Sequence, residues 1–112
     1  MEKDMQVSLL FDFYGSLLKA QQQDAVSLYF NDDLSLAEIS EQLGITRQGV
    51  RDCIKRAQAR LYMYEEKLGL LKRFQKTEEG LLEIERLSTA LESDYDREKA
   101  RRITRIAKSL HE

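Results

Sequence analysis

Residues 35–57 read SLAEISEQLGITRQGVRDCIKRA, and two helices with a sharp corner between them are written into that stretch. Ser35 and Glu38 make the S-x-x-E capping box that opens a helix. Leu36, Ile39 and Leu43 share one face of it, and Gly44 ends it. Only Gly44 and Ile45 separate that end from Thr46, which caps the next helix. A turn this short needs positive φ, which glycine adopts without strain. Small Ser40 lets the helices approach, and apolar Ile45 plugs the gap between them. With Val50 and Ile54 facing inward from the second helix, the expected core is Leu36, Ile39, Leu43, Gly44, Ile45, Val50 and Ile54. This is the helix-turn-helix arrangement, whose second helix is presented to a DNA major groove.

The outward face of the second helix carries Arg47, Gln48, Arg51, Asp52, Lys55 and Arg56. Gln48 and Arg51 suit adenine and guanine edges, whereas Arg47, Lys55 and Arg56 suit phosphates. Many polar helix faces are merely solvated, so the distribution of charge matters. The whole chain has a net charge of −2, which by itself argues against a nucleic-acid partner. Divided along the chain, residues 1–44 hold 2 basic and 8 acidic groups, 45–61 hold 5 and 1, and 62–112 hold 11 and 11. Positive potential is therefore concentrated on the helix that would be presented. It is small, so DNA affinity should be modest, and a regulator built this way should form a homodimer.

Outside the corner, the pattern is helical throughout. Val50, Ile54, Ala57, Leu61, Tyr64 and Leu68 form a heptad seam, which predicts one uninterrupted helix from Thr46 to Gly69. Before it, the spacing predicts a helix over residues 4–14, burying Leu9, Leu10 and Phe13 with Met5 a turn earlier, and capped by Gly15. Another runs over residues 19–30, burying Ala25, Val26, Tyr29 and Phe30, and stops at Asn31-Asp32-Asp33. After Gly69, Thr77 is expected to cap a helix carrying Leu81, Ile84, Leu87 and Leu91. A last helix from about Tyr95 buries Ala100, Ile103, Ala107 and Leu110 and shows a second basic face of Arg97, Arg101, Arg105 and Lys108. That face either touches a nucleic-acid backbone, an anionic membrane or an acidic partner, or is solvated and paired with nearby acids. The expected fold is an all-α bundle of five to six helices: a helix-turn-helix domain over 1–72, with the motif at about 35–57, and a helical extension over 73–112.

Composition agrees with that class and excludes others. Proline is absent and glycine occurs five times, where average usage gives about five and about eight, so turn-rich β folds are unsuited. Nothing approaches the roughly 20 apolar residues of a membrane span, and residues 1–15 lack a signal-peptide pattern. One cysteine, Cys53, fits a reducing cytoplasm and reads as a buried, inert thiol. With His111 as its sole histidine, the chain offers no zinc site, and no cofactor is expected. Adjacent carboxylates at Asp32-Asp33, Glu65-Glu66 and Glu78-Glu79 diverge on a helix, and no glycine-rich phosphate loop is present, so no catalytic residue is assigned. The nine aromatic residues mostly share helical spacing with aliphatic ones and read as core.

The stretch Leu28–Leu71 resembles the YlxM family of small bacterial helix-turn-helix proteins. The marks are Asn31-Asp32-Asp33 before the capped helix, Thr46-Arg47-Gln48 opening the next, Ile54-Lys55-Arg56 within it, and Tyr64-Glu65-Glu66-Lys67-Leu68 at its end. The two-helix unit also resembles region 4 of bacterial sigma factors, which reads the −35 promoter element. The resemblance implies a DNA-binding transcription regulator. It also implies a connection to the signal recognition particle, because family genes neighbour those of its GTPase and receptor. The alternative it implies is an accessory protein that contacts the particle's RNA or GTPase instead of DNA. This chain departs from the family at Gly49, where alanine is usual and glycine softens the helix by about 0.5–1 kcal/mol, and at Lys19, where Ser or Thr usually caps.

Overall fold

A computed structural model describes residues 3–111. The ends of the two expected segments, residues 1, 2 and 112, lie outside the described residues. Among the described residues six α-helices follow in order: α1 (Met5–Tyr14), α2 (Ala20–Val26), α3 (Leu36–Leu43), α4 (Arg47–Leu68), α5 (Leu70–Ser93) and α6 (Arg97–Ser109). No strand occurs among the described residues, so the fold is all-α. The chain divides into two compact units, Met1–Leu71 and Lys72–Glu112.

In the first unit α4 is the axis, with α1, α2 and α3 packed on it. Two apolar clusters lie along α4. Near its N-terminal half, Val50 and Ile54 meet Ile39, Ala25 and Tyr29, with Leu36, Leu43, Ile45 and Cys53 around them. Further along, Ala57 and Leu61 meet Val7, Leu10, Tyr14, Leu18, Val26 and Leu71. Phe30 packs against both clusters. It can do so because α2 continues into a wide π-turn over Ser27–Asn31, which swings Tyr29 inward and leaves Phe30 beside it, edge to face at 5.0 Å.

The corner forms as its residues dictate. Ser35 and Glu38 exchange backbone-to-side-chain hydrogen bonds at 3.1 and 3.0 Å, opening α3. Gly44 takes the left-handed conformation, φ 69°, and Ile45 folds into the neighbouring cluster. Ser40 does more than stay small: its hydroxyl donates to the Ile45 carbonyl and fastens the turn. The Thr46 hydroxyl then accepts from Gly49 N–H at 2.9 Å. A Cβ at position 49 would stand 3.1 Å from that hydroxyl oxygen, pressing on the cap.

Several sequence expectations are corrected. The buried face of α1 is Val7, Leu10 and Tyr14, whereas Leu9 and Met5 are exposed and Phe13 only half-buried. Seven apolar or aromatic residues crowd this ten-residue helix, and the partner α4 selects among faces that periodicity leaves equal. Gly15 does cap α1, its N–H donating to the Phe11 carbonyl, but in right-handed geometry, φ −56°, and it leads into a 3₁₀ turn over Gly15–Leu17. The heptad seam of α4 ends early, since Leu68 is 56% exposed. Thr77 caps nothing: α5 begins at Leu70 and passes straight through it. Tyr62, Phe74 and Tyr95 are exposed rather than core.

The early start of α5 has a long-range cause. After Gly69, in left-handed conformation at φ 62°, the chain re-enters helix with no Ser or Thr to accept its first amides. The Tyr14 hydroxyl accepts from Leu70 N–H at 2.9 Å, and a Glu65 carboxylate oxygen accepts from Leu71 N–H at 3.0 Å. Tyr14 in turn donates to that same Glu65 oxygen at 2.7 Å. Burial and the carboxylate beside it raise the Tyr14 pKa. At the other end of α1, Asp4 accepts from Gln6 N–H, capping the helix, and from the Tyr62 hydroxyl of α4. Desolvation and that carboxylate push Tyr62 up to about 12.

In the second unit, α5 and α6 pair closely at Gly80, where an added Cβ would lie 2.9 Å from Leu110. Glu83 accepts from Arg86 on its own helix and from Arg102 of α6 at 3.0 Å. Asp96 caps α6 by accepting from Glu98 N–H at 2.8 Å, so the helix starts at Arg97, two residues beyond Tyr95. This unit buries little: Leu87 is covered, Ile84 and Leu91 are half-buried, and so are Ala100, Ile103, Ala107 and Leu110, which were expected to be core.

Candidate nucleic-acid interface

The corner between α3 and α4 aims the start of α4 away from the core. Val50 and Ile54 point into the apolar cluster and are fully buried, which forces their neighbours outward. Arg47, Gln48, Asp52, Lys55 and Arg56 are exposed, and Arg51 is half-buried. Arg51 lies in a groove with Arg47, Gln48, Leu36 and Ala37, where its stem rests against the start of α3. All six residues named from sequence thus share the first three turns of one helix. Gln48 is not free: its amide donates to Asp52 at 3.0 Å.

The state of the cations separates α4 from α6. Among the described residues, Arg47, Arg51, Lys55 and Arg56 form no ion pair with a carboxylate. On α6, by contrast, Arg102 is held by Glu83 and Arg105 by Glu98 at 2.6 Å. Arg97, Arg101 and Lys108 are exposed on that helix.

Two further cations join the α4 face. A cleft of about 400 Å³ is lined by Leu17, Lys19, Gln22, Arg56, Ala59 and Arg60, and it bears no carboxylate. Next to it a second hollow adds Gln21, Gly49, Asp52 and Cys53. Arg60 stacks over the Tyr64 ring at 5.7 Å, which orients its guanidinium. Sequence reading passed over both residues. Arg60 stands one turn beyond Arg56, so helical spacing was the available signal. In the sequence Lys19 stands out only at a helix-cap position, and its place beside Arg56 depends on how α2 packs on α4.

Cys53 is half-buried next to this surface, and burial pushes its thiol pKa up despite the nearby Arg56 guanidinium. A raised thiol pKa disfavours the nucleophilic thiolate there. No group of three His, Cys, Asp or Glu side chains is placed to hold a metal among the described residues. No helix among them is long and apolar enough to cross a membrane.

Comparison with known proteins agrees with this architecture. Residues 1–102 match the family UPF0122, described as "Putative helix-turn-helix protein, YlxM / p13 like". A UPF0122 protein of Desulforamulus reducens is 46% identical over 93 residues, 83% of this chain and 80% of its own length. The UPF0122 protein YlxM of Bacillus subtilis is 45% identical over 96 residues, 86% of this chain and 87% of that one. A UPF0122 protein of Bacillus cereus (strain AH187) is 40% identical over 110 residues, 98% of both. The chain belongs to the UPF0122 family of YlxM / p13 like helix-turn-helix proteins.

Proposed function

We propose that this chain is a duplex-DNA-binding regulatory protein that acts in the cytoplasm and lays the start of α4 in a major groove. Gln48 and Arg51 read base edges, while Arg47, Lys55 and Arg56 hold phosphates. Lys19 and Arg60 extend the phosphate track along the cleft. Residues 1–72 form the binding domain and 73–112 a helical extension. The observation that carries the reading is the row of unpaired cations on α4, in a chain whose first 44 residues are net acidic and whose other basic helix spends arginines on carboxylates. Cations left without internal partners on a presented helix suit a polyanion.

Fluorescence anisotropy with random duplex DNA and with the signal recognition particle RNA, for wild type and Arg51→Ala/Lys55→Ala, tests it. Duplex binding that weakens at least tenfold in the double variant supports major-groove docking. Duplex affinity unchanged by the substitutions sinks it. Tight binding to the particle's RNA alone favours the accessory reading that the family's gene neighbourhood suggests.

A further inference from the structure

We propose that Asp52 is a positioning residue for base reading: it holds the Gln48 amide so that the carbonyl oxygen is left for the base, and α4 thereby selects adenine or cytosine over guanine or thymine. This inference rests on the duplex-DNA reading above. A glutamine amide carries an acceptor on one arm and two N–H donors on the other, so a free Gln48 can turn either arm to a base. An ionised carboxylate only accepts, so it holds the nitrogen arm and never the oxygen. Gln48 Nε2 donates to Asp52 Oδ1 at 3.0 Å, and Gln48 Oε1 accepts from no donor among the described residues.

Both side chains stand at the centre of the presented face. With Val50 at 0° and about 100° per residue, Gln48 falls at roughly 160° and Asp52 at roughly 200°, opposite the buried seam. Arg51 and Lys55 flank them at roughly 100° and 140°, Arg56 and Arg60 at roughly 240° and 280°. Asp52 shares a hollow with Lys19 and Arg56, yet it forms no ion pair with either. A carboxylate at this point repels the phosphates of every duplex alike, so it adds no affinity of its own. What it does contact is Gln48. An i, i+4 bond of this kind is weak in water, and it strengthens where docking on a base displaces the solvent around it.

The consequence for sequence follows from the major-groove edges. Adenine N6 and cytosine N4 carry amines that donate to Gln48 Oε1, and the remaining Nε2 hydrogen suits adenine N7. Guanine O6 and thymine O4 would meet that oxygen acceptor to acceptor. Arg51, which only donates, keeps the guanine contact.

Selection from randomised duplex DNA, followed by anisotropy titration of the selected duplex and its single-base variants, tests the proposal. Wild type should show a position at which adenine or cytosine is preferred over guanine and thymine by about tenfold, and Gln48→Ala should lose that preference. Asp52→Asn keeps the shape but brings N–H donors that let Gln48 reverse, so the preference should fall below about threefold while affinity for all duplexes rises. Asp52→Glu, still acceptor-only, should keep the preference within about twofold, and adding Asp52→Asn to Gln48→Ala should leave the base ratios unchanged. Both positions are exposed, so helical circular dichroism should be preserved in every variant. A wild type that binds no duplex overturns the DNA reading and this proposal together. Duplex binding without a Gln48-dependent position, or with one that favours guanine or thymine, overturns this proposal alone and leaves the phosphate contacts standing. So does a preference that Asp52→Asn leaves intact, or one that Asp52→Glu loses as fully as Asp52→Asn. A base ratio that Asp52→Asn still shifts in Gln48→Ala overturns it as well, because Asp52 would then read the base itself.

Discussion

If the cleft beside α4 tracks a nucleic-acid backbone, removing its arginines must change how binding responds to salt. Arg47, Lys55, Arg56, Lys19 and Arg60 give five phosphate contacts in the proposed pose. At about −0.9 per contact, log K should fall with log salt at a slope of roughly −4.5, a loss of about 500-fold between ~50 and ~200 mM. Arg56→Ala/Arg60→Ala leaves three contacts, so the slope should relax to roughly −2.7 and the same salt step should cost about 40-fold. Both arginines are exposed and outside the apolar clusters, so the fold should not change. The assay is anisotropy titration against a random duplex across that salt range. Arg97→Ala/Arg101→Ala on α6 serves as a control of equal charge change. A slope that the α4 pair leaves as steep as wild type would falsify the cleft's role. A slope reduced equally by the α6 pair would show a diffuse charge effect instead of a track.

Other expectations follow from single contacts. Asp52→Asn removes the one acid on the presented face and should raise duplex affinity about two- to fivefold in the same titration, given what exposed charges are worth. Tyr14→Phe leaves Leu70 N–H without its acceptor and should lower stability to urea by about 1–3 kcal/mol, whereas a change below ~0.3 kcal/mol would mean the cap is dispensable. Tyr62 has a folded pKa of about 12, above its ordinary value of 10.0. Its contribution is complete below the unfolded pKa and is lost as pH rises through the folded one, so wild type should lose stability between these values. Tyr62→Phe should flatten that alkaline limb, and an unchanged limb would count against the Asp4 contact.

What the sequence made legible was local. Ser35, Glu38, Gly44 and Thr46 act on amides within a few residues of themselves, and each does in the structure what its chemistry requires. The inward set around the corner was equally readable, because Ile39, Val50 and Ile54 have no other apolar face to offer. Errors arose where distant residues decide. The start of α5 depends on Tyr14, 56 positions earlier in the chain than the amide it caps, and no window around Thr77 contains that fact. The buried face of α1 was settled by α4, and the exposed end of the heptad seam by where α1 runs out. Among site residues, those on α4 were visible as a helix face. Lys19 joins them only through tertiary packing.

Phe30 touches both apolar clusters, and α4 runs through the pair as a single 22-residue helix of about 33 Å. The two halves of the first unit should therefore open together. In hydrogen-exchange terms, amides of α3 and of α1 should report one common opening energy instead of a gradient that rises from the corner to the junction. A ligand clasped at the corner would then slow exchange at Val7 and Leu10, far along α4, with no movement of the backbone between.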